Sequence, residues 1–172
     1  TIDYSYEWYQ DGALTANSSS SLPSSATAKN ELWTVRVTPN DGAVDGSVSE
    51  ASVPILNTSP AVQSVSVQPL APAGDDLMSC SALASDPDES PAMTYVWTDE
   101  SGSVLGTGDS LQLDPSFVSS GDFVICTATA TDSDQATDTD SASVEVQNTA
   151  PAISGLSIVP SAIYSGSLLQ CV

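Results

Sequence analysis

The stretches CSALASDPDESPAMTYVW, residues 80–97, and DFVICTATATD, residues 122–132, carry the reading from which the rest of the chain follows. Met78, Cys80 and Ala82 alternate along one run, Tyr95 and Trp97 end a second, and Val124, Cys126, Ala128 and Ala130 alternate along a third. In an extended strand every second side chain points to the same side, so both sulfurs and the indole can meet in one interior. Three strands that converge in this way predict two facing sheets around a shared core.

Working outward, the surrounding residues read as seven or so strands, at 62–67, 77–84, 93–98, 104–105, 111–113, 123–131 and 142–147. Turn clusters separate them at Gly74-Asp75-Asp76, Asp86-Pro87-Asp88, Ser101-Gly102 and Ser119-Ser120-Gly121, as Gly, Pro and Asp demand. Upstream, residues 1–8 predict a strand with Tyr4, Tyr6 and Trp8 on one face and Asp3, Ser5 and Glu7 on the other. Asp11-Gly12 supplies the positive φ of a tight turn. Residues 16–21 are polar and loop-like, and Leu22-Pro23 predicts a short buried contact. Trp33, Val35 and Val37 then alternate inward, Asn40-Asp41-Gly42 turns the chain, and Ala51, Val53 and Ile55 form a further strand. Pro54 there lacks an N–H for a ladder, which predicts a sheet edge.

These two halves are related. Asn57-Thr58-Ser59-Pro60 recurs as Asn148-Thr149-Ala150-Pro151, an offset of 148 − 57 = 91 residues. The same offset carries Asp41 to Asp132, Val53 to Val144, Ile55 to Val146, Pro69 to Pro160 and Cys80 to Cys171. Near the start the offset is 97 − 8 = 89, taking Trp8 to Trp97 and Leu22 to Leu111. A period of this size marks an array of similar units. The repeat divides the chain into 1–59, the later part of one unit; 60–147, a complete unit; and 148–172, the first strands of a third. Trp8 is accordingly expected in a core, as Trp97 is.

The order Cys80, Trp97, Cys126, with steps of 17 and 29 residues, resembles the immunoglobulin-type β-sandwich, in which an inter-sheet disulfide packs on a buried Trp. That likeness implies a Cys80–Cys126 bridge against Trp97; the alternative is two separate buried thiols. A unit of about 90 residues buries only a modest core, so such a staple makes physical sense, and it points to an oxidising, extracellular setting. The Tyr-Xaa-Trp runs (Tyr6-Glu7-Trp8, Tyr95-Val96-Trp97), the Asp86-Pro87-Asp88 turn, Thr131-Asp132 and the Asn-Thr-Xaa-Pro linkers are similar to the tandem Ig-like repeats of large prokaryotic surface proteins. Those in turn resemble PKD and cadherin-like repeats, although the Gly-Asp-Gly run of PKD repeats is missing. The resemblance implies an all-β chain of tandem sandwiches serving as stalk, spacer or fibre unit.

Composition narrows the function. With 22 acidic residues against Lys29 and Arg36, no His and a net charge of −20, the chain lacks the basic footprint that nucleic acid requires. No apolar run is long enough to predict a membrane span, and no charged, apolar, small-residue leader opens the chain. Without His, a Gly-x-Ser-x-Gly elbow or a Gly-rich phosphate loop, no catalytic residues are predicted. Asp86, Asp88 and Glu89 in one loop, and Asp132, Asp134, Asp138 and Asp140 in another, have the alternate spacing of oxygen-rich loops that take Ca²⁺; the alternative is a self-repelling, solvated surface. Asn17 and Asn57 head sequons for N-linked sugar.

Two functions are expected in order: a structural unit of an extracellular filament, stalk or surface coat, then an adhesin that grips a carbohydrate or protein with the loops at one end of a sandwich. Neither 1–56 nor 148–172 closes a sandwich alone, so copies are expected to complete one another end to end, in a filament or a longer tandem array. Cys171 falls opposite Val35 in that arrangement and is expected to stay unpaired.

Overall fold

The computed structural model describes residues 1–151, 153–159, 164–166, 168 and 170–171, and among these the chain is all-β apart from one 3-10 turn at Ser24–Ala26. The first sheet comprises β1 (Asp3–Gln10), β2 (Ala13–Leu14), β3 (Leu32–Asn40) and β4 (Ser49–Pro54) in the order β2-β1-β3-β4. Asp11 and Gly12, at φ 51° and 83°, make the β1–β2 reversal, a conformation glycine adopts without strain. Pro54 lies in edge strand β4, as its missing N–H requires.

Two further sheets share a single core. One holds β5 (Ala61–Gln68), β6 (Leu77–Ser85) and β9 (Ser110–Gln112); the other holds β7 (Ala92–Asp99), β8 (Val104–Thr107), β10 (Phe123–Thr131) and β11 (Thr137–Glu145), in the order β11-β10-β7-β8. Val67, Met78 and Cys80 from the first meet Trp97, Val124, Cys126 and Val144 from the second. Cys80 and Cys126 are joined by a disulfide with their Cα atoms 6.4 Å apart. Trp97 stands directly across from Cys126 in the β7–β10 ladder; it is fully buried, and its Nε1 donates to Gly108 O at 2.9 Å. The apolar bulk is thus sequestered while its one polar atom is satisfied.

The repeat extends to hydrogen bonds and register. Trp8 Nε1 donates to Ser19 O at 2.9 Å, the Trp97–Gly108 bond moved back by 89 residues. Asn30 N to Ile55 O and Ile55 N to Glu31 O mirror Gly121 N to Val146 O and Val146 N to Asp122 O at an offset of 91. Trp8 faces Val35 as Trp97 faces Cys126. The sheet β2-β1-β3-β4 therefore matches β8-β7-β10-β11 strand for strand. Its apolar side carries Tyr4, Tyr6 and Trp8 beside Val35, Val37 and Val53.

Three expectations need correction. Asp138 and Asp140 lie in β11, paired with Ala130 and Ala128, and not in a loop; a tight turn closed by Asp132 N to Ala136 O at 3.1 Å starts the strand at Thr137. Leu22-Pro23 is not the buried contact expected: Leu22 is only half-buried, Pro23 exposed, and the chain enters the 3-10 turn. Pro23 stands where the repeat has Gln112 (112 − 89 = 23) and lacks the N–H a ladder uses. Trp8 is half-buried, with Trp33 edge-on at 6.4 Å, because no second sheet among the described residues covers that face as β5 and β6 cover Trp97. Pro160 and the Cys171 side chain lie outside the described residues.

Candidate functional site

A dense polar constellation lies where residues 29–58 meet two later loops, at 86–91 and 132–136. The loop before β3 is held by local bonds: Ala28 N donates to Glu31 Oε2 at 2.7 Å, and Asn30 adopts φ 70°. Lys29 is thereby presented outward. Its ammonium donates to Asp134 Oδ2 at 2.7 Å, Ser133 Oγ at 3.0 Å, Glu89 Oε1 at 3.1 Å and Asn57 Oδ1 at 3.3 Å.

The acceptors are themselves anchored. Glu89 receives Ser133 N at 2.6 Å and Ser133 Oγ at 3.0 Å. Asp132, the buried charged residue of the described chain, receives Asn57 Nδ2 at 2.8 Å and Ala136 N at 2.8 Å. Asp88 Oδ2 takes Thr58 N at 2.7 Å, while Asp86 Oδ1 takes Asp88 N at 2.8 Å and shapes that loop. A buried charge is tolerated when it is both paired and hydrogen-bonded. Lys29, Asn57 and Thr58 thus tie the first sheet and its linker to the Asp86–Glu89 and Asp132–Asp134 loops.

Of the seven carboxylates expected in two cation-binding loops, the structure groups three. Glu89, Asp132 and Asp134 each place one oxygen within 4.8 Å of the others, close enough to share a hard cation's ligand sphere. The cation that the fold brings there is the Lys29 ammonium, so Ca²⁺ and Lys29 would compete for Glu89 and Asp134, while Asp132 is already bonded to Asn57 and Ala136. Asp138 instead accepts Val62 N at 2.8 Å, tying β11 to β5, and Asp140 accepts Ser141 N at 2.8 Å. The Asn57 amide lies in the junction, where its Nδ2 donates to Asp132. Asn17 is half-buried, with Nδ2 3.4 Å from Thr15 Oγ1.

Side-chain exposure falls to 16% for Lys29, against 28% for Glu89 and 42% for Asp134, so the ions are only partly screened by solvent. The Asp134 hydrogen bond raises the Lys29 pKa above its ordinary 10.5, with Glu89 reinforcing it against burial. The Ser133 amide, the Ser133 hydroxyl and Lys29 bring Glu89 from 4.5 down to about 2. Asp132 is lowered by the Asn57 amide first and then by Ala136 N–H. Because the Glu89 pKa is depressed, its contribution is complete above pH 4.5 and fades as pH falls toward about 2. Because that of Lys29 is raised, its contribution is complete below pH 10.5 and fades only as pH climbs through the raised value. The amide-exchange protection factor of Ser133 is therefore expected to be constant from pH 5 to pH 10 and to collapse below about pH 3; a collapse centred near 4.5 would show that Glu89 is not held by these donors.

Scanned against protein families the chain matches none, and no curated protein matches it. The weight therefore falls on the geometry. The sequence reading assigned no site role to Lys29 or Ser133, and it placed Asn57 in the linker and as a sugar acceptor. The available signal was that a chain with 22 carboxylates keeps a single lysine, which is worth asking a partner of.

Proposed function

We propose that the chain is a structural unit of an extracellular stalk, filament or surface coat, built from tandem immunoglobulin-type sandwiches and without catalysis, whose units complete one another end to end. The observation that carries this is the junction. In a binding sandwich of this type the loops at one end are free to grip a ligand. Here the two loops at that end, 86–91 and 132–136, are taken up by Lys29, Asn57 and Thr58. Spending its loops on the neighbouring unit suits a load-bearing or spacing element better than an adhesin. The Cys80–Cys126 bridge supports a compartment outside the reducing cytosol. Among the described residues no helix is long and apolar enough to cross a membrane.

The test is the rigidity of the joint. Residual dipolar couplings of the 172-residue chain are expected to fit one alignment tensor across 1–56 and 60–147, and Lys29→Met is expected to split it into two while each part keeps its own couplings. Independent tensors in the unaltered chain, together with selective retention on a glycan or protein array, would favour the adhesin.

A further inference from the structure

The apolar side of the first sheet is not covered by a second sheet among the described residues. Tyr6, Trp8, Val35 and Val37 are half-buried there, and Tyr4 and Val53 are 57% and 54% exposed. Its charges, Asp3, Glu7, Arg36 and Glu50, alternate onto the reverse side. The matching side of β11-β10-β7-β8 is closed by β5 and β6, so the repeat itself specifies what kind of cover fits.

That cover exists elsewhere in the sequence. Past the complete unit, β12 (Ile158–Val159) pairs antiparallel with β13 (Gln170–Cys171). Its register, Ile158 to Cys171 and Val159 to Gln170, is that of Val67 to Cys80 and Gln68 to Ser79 moved on by 91 residues. Residues 148–172 contain no Asp, Glu, Lys or Arg in a chain of net charge −20, and Ile153, Leu156 and Leu168 are exposed. An uncharged apolar segment and an uncharged apolar sheet face are where two strongly acidic copies can meet without mutual repulsion.

Resting on the structural reading above, we propose that residues 148–172 of a second copy of this chain lie across the apolar side of β1, β3 and β4, bringing its Cys171 over Val35 as Cys80 lies over Cys126. The chain's own tail is poorly placed for this. It departs beyond Glu145, whereas the junction with the first sheet lies at the Thr137 end of β11, and nine residues of strand separate the two ends by about 30 Å.

The experiment is to make Val35→Cys and oxidise it. Non-reducing electrophoresis is expected to show a ladder of dimers and longer species, which Val35→Cys/Cys171→Ser abolishes. Peptide mapping of mixed heavy and light chains is expected to link position 35 of one chain to Cys171 of another. In the unaltered protein, the mass from sedimentation equilibrium is expected to rise with concentration, and Tyr6→Glu is expected to prevent the rise while leaving the Cys80–Cys126 bridge intact. A monomer at all concentrations, or a 35–171 link confined within single chains, would overturn the proposal. Those outcomes leave the joint-rigidity test untouched: a monomer with one alignment tensor sinks this docking between separate copies and keeps the structural reading in its other form, a longer tandem array, and a ladder with two tensors does the reverse.

Discussion

Trp97→Ala is expected to unfold the 60–147 unit under conditions where the unaltered chain is native. The indole is fully buried among Val67, Met78, Cys80 and Cys126, and truncating a large aromatic in such a core costs about 3–5 kcal/mol. The substitution also removes the donor to Gly108 O, one of the two bonds that tie Gly108 to β7, the other being Gly108 N to Tyr95 O at 3.0 Å. Set against a total of about 5–15 kcal/mol for a small domain, the loss takes much of the available stability. Trp8→Ala offers the comparison. Trp8 makes the equivalent bond to Ser19 O but is only half-buried, so less apolar area is lost and a smaller effect is expected. Urea denaturation followed by near-ultraviolet circular dichroism measures both; equal shifts in midpoint would mean that Trp97 is no more a core residue than Trp8.

Removing the bridge is the second large effect. Cys80 and Cys126 are 46 residues apart, and closing a loop of that size restricts the unfolded chain by about 4 kcal/mol in the entropy model. Cys80→Ala/Cys126→Ala is therefore expected to lower the urea midpoint of the unit strongly and to approach unfolding at 37 °C. Since Trp97 faces Cys126 across the ladder, the two perturbations share neighbours, and their combined effect is expected to depart from the sum by about 0.5–3 kcal/mol. Dithiothreitol on the unaltered chain should reproduce the double variant. A midpoint that barely moves on reduction would show that packing alone holds the two sheets together.

Both predictions rest on features legible in the residues. Alternation around Cys80, Trp97 and Cys126 places three side chains in one interior, because the strand period of two is a local property that needs no knowledge of the partner strand. Strand 123–131 and most of the other strands follow from the same period and from turn residues with an evident backbone reason, such as Asp11-Gly12 and Ser101-Gly102. The repeat is also a property of sequence alone, and it anticipated register: Trp8 faces Val35 as Trp97 faces Cys126.

The acidic residues were another matter, because what a surface carboxylate does depends on what the fold brings against it. Asp138 and Asp140 look like loop ligands by spacing, yet a turn closing at Ala136 puts them in the β10–β11 ladder, where Asp138 serves the Val62 N–H. Trp8 has the motif of a core residue and lacks the opposing sheet that makes one. The junction was the least legible of all. Lys29 reaches Glu89 across 60 residues and Asp134 across 105, and no local pattern joins positions that far apart. The residues by themselves determined the strands, the repeat and the meeting of two sulfurs with one indole, all consequences of short-range backbone geometry. Only the tertiary structure decided which carboxylates gather and what neutralises them, since electrostatic partners are chosen by distance in space and not along the chain.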